Sequence, residues 1–276
     1  MTIECCSVRG RHALPTRHSS LVTVCLLLFS AANIFAQGSL TPPGGPGPTM
    51  KTLDQIEARN PLGTTAVTIS QAGSYYLTGN ITVASGSAIT IATDSVTLDL
   101  NGFTISSTAN PAAGSAISLN SAIKNITILN GSILGAVTYN GSSYNGAGFQ
   151  NGINGTSISP RNVRVSGVSV AGCTQSGIFL GTTLQTSDVV DHCAVRTIGS
   201  TGIQAGSVSD CVVSECGGVA INCFTAANSS GDSTGSLTGI AAKTAVNCRG
   251  ASATGRGLDA DTATGCRGDR DRKSVV

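Results

Sequence analysis

The sequence predicts an all-β protein built as a solenoid of stacked coils, with a short helical segment before them. Three observations predict this class. Charged residues make up 11% of the 276 residues and aromatic residues 4%, whereas glycine, serine and threonine supply more than a third. Short runs alternate apolar and polar residues, and a small residue followed by an aliphatic one recurs along the chain. This composition argues against a charged helical bundle and, with 40% hydrophobic residues and a net charge of +2, against disorder.

The N-terminal segment is predicted to direct export. Three arginines precede an apolar stretch at residues 21–35, which is followed by a small residue, Ala36. This is the pattern of a secretory signal peptide, predicted here as residues 1–36. We therefore expect a secreted protein, extracellular or periplasmic and with or without attachment to the cell envelope. No transmembrane segment is expected in the mature chain, because no other stretch is apolar enough.

A linker and a helical segment are predicted next. Residues 37–48 are rich in proline and glycine and cannot form a core. Residues 49–59 carry apolar residues at helical spacing, and Pro61 ends that run. Without the signal peptide the chain has 13 basic and 13 acidic residues. A net charge near zero argues against nucleic acid as a partner.

Alternation with a period of two then predicts strands, because successive side chains of a strand point to opposite faces. The clearest segments are Val67–Ile69, Tyr75–Leu77, Ile81–Val83, Ile89–Ile91 and Val96–Leu100. Their β-branched residues favour the same conformation.

The longer repeat predicts how the strands stack. The aliphatic anchors are Ile89, Ile117, Ile153, Ile178, Ile203, Ile221, Ile240 and Leu258. Residues 239–250 align with residues 257–268 at an offset of 18, and a period near 20 in an all-β chain indicates stacked coils. We expect the anchors to be buried and stacked about 4.8 Å apart, one strand spacing. Residues 269–276 break the repeat and look foreign to it, which predicts a truncated chain.

Two longer intervals between anchors predict loops that leave the coils, around Thr108–Gly114 and Ala136–Gly152. The second loop carries Tyr139, Tyr144 and Phe149 among glycine and asparagine residues. Exposed rings there would stack on sugars, and the alternative is that the rings cover the edge of the core.

Seven cysteines follow the signal peptide: Cys173, Cys193, Cys211, Cys216, Cys223, Cys248 and Cys266. An odd number excludes a complete set of intramolecular disulfides. Cys211, Cys248 and Cys266 each lie eight residues after an anchor, which predicts one buried inward column. The mature chain has no CxxC motif and one histidine, so packing is favoured over zinc. A thiol ladder and incidental disulfides both stay open.

Three segments resemble a known group of proteins. Residues 49–60 (TMKTLDQIEARN), 73–80 (GSYYLTGN) and 96–103 (VTLDLNGF) are similar to segments of secreted bacterial proteins of the pectate-lyase-like superfamily. The resemblance covers residues 49–268 and implies a right-handed parallel β-helix. The superfamily includes polysaccharide lyases, glycoside hydrolases, epimerases, adhesins and phage spikes, so the fold leaves the activity open.

One constellation is the candidate catalytic site if the chain is an enzyme. If Cys193 and Cys211 share a column, His192 lies beside Asp210 one coil away. A histidine hydrogen-bonded to an aspartate is a general acid–base unit, and Arg196 lies near it in sequence. The alternative is that these residues belong to an ordinary solvated polar face.

The resemblance also implies which cofactor to consider. Lyases of the group hold calcium with several carboxylates, and the hydrolases use paired aspartates. Asp188 and Asp191 are the candidate calcium ligands, and no other cofactor is evident. Calcium takes about six to eight oxygens, so two carboxylates are a minimal set.

Two functions stay open from the sequence. The first is an exported β-helix that binds or processes carbohydrate, on a scaffold like that of a polysaccharide lyase or glycoside hydrolase, with a polysaccharide or cell-surface glycan as partner. The second is a non-catalytic structural or adhesive surface rod. No catalytic motif decides whether the chain is an enzyme.

Overall fold

Parallel strands make up most of the chain that the structure describes. The structure is a computed structural model, and it describes residues 58–120, 122–155 and 160–270. These residues form 26 strands and no helix, so they contain none that is long and apolar enough to cross a membrane. The all-β prediction is confirmed. The predicted signal peptide and linker and residues 49–57 of the predicted helical segment lie outside the described residues, whereas residues 58 and 59 at its end are described and are not helical.

The strands are short, as the alternating segments predict. In chain order they are β1 (Asn60–Leu62), β2 (Val67–Ile69), β3 (Gly73–Leu77), β4 (Ile81–Val83), β5 (Ile89–Ile91), β6 (Val96–Asp99), β7 (Thr104–Ser107), β8 (Ser115–Leu119), β9 (Lys124–Leu134), β10 (Ala136–Tyr139), β11 (Tyr144–Ala147), β12 (Asn151–Gly155) and β13 (Arg161–Cys173). They continue as β14 (Ile178–Phe179), β15 (Val189–Asp191), β16 (Ala194–Ile198), β17 (Ile203–Gln204), β18 (Ser207–Ser209), β19 (Val212–Cys216), β20 (Ile221–Asn222), β21 (Thr225–Ala227), β22 (Ser230–Ser233), β23 (Ile240–Val246), β24 (Arg249–Ser252), β25 (Leu258–Thr264) and β26 (Arg267–Arg270).

Successive coils pair in parallel to form three ladders. The first ladder is β2, β5, β8, β12, β14, β17, β20, β23 and β25. The second is β1, β3, β6, β9, β13, β15, β18, β21, β23 and β25. The third is β4, β7, β9, β13, β16, β19, β22, β24 and β26. The longest strands belong to two ladders because they turn a corner, and the whole is a parallel β-helix.

The predicted anchors form one column in the first ladder. The register pairs Ile89, Ile117, Ile153, Ile178, Ile203, Ile221, Ile240 and Leu258 in that order. All are fully buried except Leu258, which is partly buried against the core. The stacking is confirmed even across the longest interval. A small residue precedes each anchor because the coils approach closely there: a Cβ on Gly177 would lie 2.6 Å from the carbonyl oxygen of Gly202.

A single left-handed residue makes each corner between the second and third ladders. In the coils from β9 onward, these corner residues are Asn130, Gly167, His192, Asp210, Asn228, Asn247 and Gly265, with φ from 48° to 65°. Glycine and asparagine enter this region most readily. Asparagine also bonds along the stack, since Asn228 Nδ2 donates to Asp210 Oδ1 at 3.2 Å and Asn247 Nδ2 to Asn228 Oδ1 at 3.4 Å.

The residue after each corner forms a second inward column, called here the thiol column. Its members in five consecutive coils are Cys193, Cys211, Ser229, Cys248 and Cys266. The shared column of Cys211, Cys248 and Cys266 is confirmed. Cys211 and Cys248 are buried as predicted, whereas Cys266 is partly exposed. All seven described cysteines are free thiols.

Candidate functional site

The predicted contact between His192 and Asp210 is not formed. The two residues occupy equivalent corners of consecutive coils, as the sequence register predicts. His192 Nδ1 instead lies 3.1 Å from Asp191 Oδ1, and Asp210 accepts a hydrogen bond from Asn228. Because neighbouring coils are about 4.8 Å apart, stacked polar groups meet only if their side chains lean along the stack, and that of His192 turns to its own strand.

Asp191 is the centre of a small ionic group. Its side chain is 5% exposed, and Ser166 Oγ donates a hydrogen bond to Oδ1. Oδ2 lies 2.7 Å from Arg164 Nη2, an ion pair without an aligned hydrogen bond. Burial raises the pKa of Asp191, but Ser166, His192 and Arg164 outweigh it and hold the pKa below its usual value. These contacts engage the carboxylate within the scaffold.

Asp188 is buried against the backbone of the preceding coil. It is 1% exposed, and Oδ1 accepts a hydrogen bond from the N–H of Val163 at 3.0 Å. Burial raises the pKa of Asp188 to about 6, although backbone hydrogen bonds partly offset it. Within the described ranges, no group of three or more histidine, cysteine, aspartate or glutamate residues is arranged to hold a metal ion. Calcium binding at Asp188 and Asp191 stays a prediction, and these contacts give it no support.

The burial of Asp188 predicts a pH dependence of stability. The folded state raises the pKa of Asp188 above the usual value of about 3.9. The contribution of the protonated carboxyl group to the free energy of unfolding is therefore fully present below pH 4 and is lost as the pH rises through 6. Asp188→Asn keeps the hydrogen-bond acceptor but not the charge. We expect its free energy of unfolding to rise by about 2 kcal/mol relative to that of the wild type when the pH is changed from 4 to 8. Urea unfolding at both pH values measures this. Asp210→Asn, at an exposed corner, controls for the loss of one charge, and equal gains for the two variants would contradict the burial argument.

The insertion between β9 and β12 folds back over the third ladder as an antiparallel hairpin of β10 and β11. Tyr139 and Tyr144 face each other in it and stack with ring centroids 4.6 Å apart. The Tyr144 hydroxyl shares a hydrogen bond with Thr234 Oγ1 at 2.7 Å. The Tyr144 ring fits because Gly217 lies beneath it, where a Cβ would approach a ring carbon to 3.0 Å. Tyr139 and Tyr144 are partly exposed, whereas Phe149 is fully buried in the core, so the covering of the core holds for Phe149 and the stacking of the tyrosines on sugars stays a prediction.

A groove of about 450 Å³ separates the hairpin from the third ladder. Its walls are residues 134–139 on one side and Ala171, Gly172, Arg196, Thr197 and Glu215 on the other. A second cavity of about 470 Å³ adjoins it at Tyr139 and is lined by residues 232–234 and 251–253. An aromatic ring, hydroxyl groups and charges of both signs therefore meet around the hairpin.

The floor of the groove is irregular in three successive coils. Gly172, Thr197 and Glu215 have φ values of 72°, 55° and 54°, and the register between β19 and β22 shifts at this point. A β-branched residue such as Thr197 is rarely found in this region. Thr197 Oγ1 donates a hydrogen bond to Glu215 Oε2 at 2.7 Å, which fixes the carboxylate. Strained residues and bulges of this kind concentrate at functional sites.

The structure divides the predicted catalytic residues between two places. Arg196 lines the groove, whereas His192 and Asp210 lie at corners. Sequence reasoning missed Thr197 and Glu215, although the offset of 18 that aligns His192 with Asp210 also aligns these two. The catalytic roles of His192, Asp210 and Arg196 stay predictions.

Comparisons with known proteins add no name to this geometry. The sequence matches no protein-family model, no curated protein and no solved structure. The parallel β-helix is shown by the strand pairing.

Proposed function

We propose that this chain is an exported β-helix protein of the pectate-lyase-like kind and that it binds an extended carbohydrate chain between the hairpin and the third ladder. The observation that carries the proposal is the position of Tyr139. It lies where the two cavities meet, beside side chains from three consecutive coils: Arg196, Glu215 and Asp232.

The chemistry of the walls suits a sugar. A sugar ring has an apolar face and a rim of hydroxyl groups. Tyrosine offers an apolar ring face together with a polar tip. Thr197 and Thr234 add partly exposed hydroxyls, and the carboxylate of Glu215 accepts hydrogen bonds. Cavities of roughly 300–1,000 Å³ are typical of small-ligand sites, so each of the two is large enough to hold part of a polymer.

The repeat of the scaffold favours a polymer over a single small molecule. Arg196 comes from β16, Glu215 from β19 and Asp232 from β22, which are neighbours in the third ladder. Neighbouring strands of this ladder are about 4.8 Å apart. A linear polymer that lies across them can therefore contact several coils at once, whereas a small molecule contacts fewer.

A second function is favoured by a different observation. Of the predicted catalytic and calcium-binding carboxylates, Asp191 pairs with Arg164, Asp188 accepts backbone bonds and Asp210 bonds Asn228. Groups engaged in this way support a non-catalytic structural or adhesive role. Polysaccharide processing would instead draw on Glu215, which lines the groove, and Asp232, which lines the second cavity.

Binding to a panel of soluble polysaccharides tests the proposal, with and without calcium. We expect the wild-type protein to bind at least one of them, and Tyr139→Ala and Arg196→Ala each to weaken that affinity about tenfold, as removal of a central tyrosine or arginine commonly does. Lys124→Ala is the matched control, because Lys124 is exposed on the second ladder and pairs with Asp94.

The outcomes separate the two functions. Shortened products in the same incubations would assign polysaccharide processing, and binding without products would assign an adhesive role. Absence of binding to every polysaccharide, or an equal loss in Lys124→Ala, would overturn the groove as a carbohydrate site.

A further inference from the structure

The thiol column places two pairs of cysteines in adjacent coils. Cys193 stacks on Cys211, and Cys248 stacks on Cys266, each pair at a sequence separation of 18. Ser229 occupies the coil between the pairs, where its Oγ accepts a hydrogen bond from the N–H of Cys211 at 3.2 Å. The column therefore separates its four thiols into two pairs.

The geometry of each pair suits a covalent bond. Adjacent coils place equivalent Cα atoms about one strand spacing apart, roughly 4.8 Å. Disulfides need Cα separations of about 4.4–6.8 Å. The N–H of Cys193 donates to Cys211 Sγ at 3.5 Å, and that of Cys248 donates to Cys266 Sγ at 3.3 Å. The second sulfur of each pair already leans toward its partner.

The other three cysteines have no stacked thiol neighbour. Cys173 and Cys216 belong to one column of the third ladder, but Ile198 lies between them. Cys223 belongs to a different column, because its coil stacks on Ala205. These thiols are buried, and burial raises the pKa of Cys173 and of Cys223 to about 12, which keeps them protonated.

We propose that Cys193–Cys211 and Cys248–Cys266 are disulfide sites that staple neighbouring coils, while the other three cysteines stay as thiols. This assignment accounts for the odd number of cysteines. Glutathione disulfide, or a protein disulfide of an oxidising compartment, is the oxidant. For each pair, two S–H bonds break, one S–S bond forms, and the oxidant takes up two electrons and two protons and leaves as two thiols.

Peptide mapping tests the assignment on the chain without the predicted signal peptide, residues 37–276, refolded with glutathione disulfide. After denaturation and alkylation, three alkylated cysteines are expected. Trypsin should then release one linked product joining residues 244–249 to 257–267 and another joining residues 165–196 to 197–243. Reduction should separate both and lower the melting temperature by about 5 °C or more.

Two variants keep the result specific. Cys266→Ser should remove only the link between residues 244–249 and 257–267 and leave four alkylated cysteines. Cys173→Ser, the matched control, should keep both links and leave two. Seven alkylated cysteines in the oxidised protein, or a link between residues 197–243 and 244–249, would overturn the proposal.

Discussion

Gly202→Val is expected to lower the free energy of unfolding by about 3 kcal/mol, because overpacking a tight core forces the backbone apart. Gly202 precedes the anchor Ile203, where neighbouring coils approach closely. A Cβ there would lie 2.4 Å from the carbonyl oxygen of Ala220 and 2.4 Å from Val213 Cγ1. Neither the backbone nor the buried valine can move freely, so the added side chain must separate the coils. Urea unfolding of Gly202→Val measures the loss.

Gly63→Val is the matched control for this substitution. A Cβ on Gly63 meets no atom within 4 Å, so valine there is expected to change the unfolding free energy by no more than about 0.5 kcal/mol. A similar loss in both variants would show that close approach of the coils is not what glycine provides at position 202.

Removal of one anchor is expected to cost a similar amount. Ile221 is fully buried and stacks between Ile203 and Ile240. Ile221→Ala leaves a cavity whose neighbours are held by the ladder on both sides, and such substitutions cost about 2–5 kcal/mol. Val212→Ala is the control, because the Val212 side chain is 57% exposed. Denaturant unfolding gives the free energy of unfolding of both variants. A difference between them of less than about 1 kcal/mol would contradict a core built on the anchor column.

The repeat made the fold predictable from the sequence. The small residue followed by an aliphatic one marks which residues stack, although the intervals between the anchors vary. The column of Cys211, Cys248 and Cys266 follows because each lies eight residues after an anchor. The corner positions were harder to predict from the sequence. Histidine and aspartate take the left-handed conformation at His192 and Asp210, where other coils have asparagine or glycine. His192 and Asp210 thus occupy a repeated corner position.

The groove could be predicted only in part. The sequence marks the loop that carries Tyr139 and Tyr144, and it marks Arg196 as a candidate. It does not give the direction in which the loop folds. That direction depends on contacts such as the one between Tyr144 and Thr234, which lie 90 positions apart and in different coils.

The hairpin also bears on how the coils separate from one another. In a solenoid each coil contacts only its neighbours, so coils can open one at a time. Tyr144 adds a longer connection, because it lies against Gly199 and Gly217 and bonds Thr234 in the next coil. Opening any of these three coils must detach the hairpin from the others. This stretch of the solenoid should therefore exchange its amide hydrogens as one cooperative unit, whereas coils outside the reach of the hairpin exchange independently.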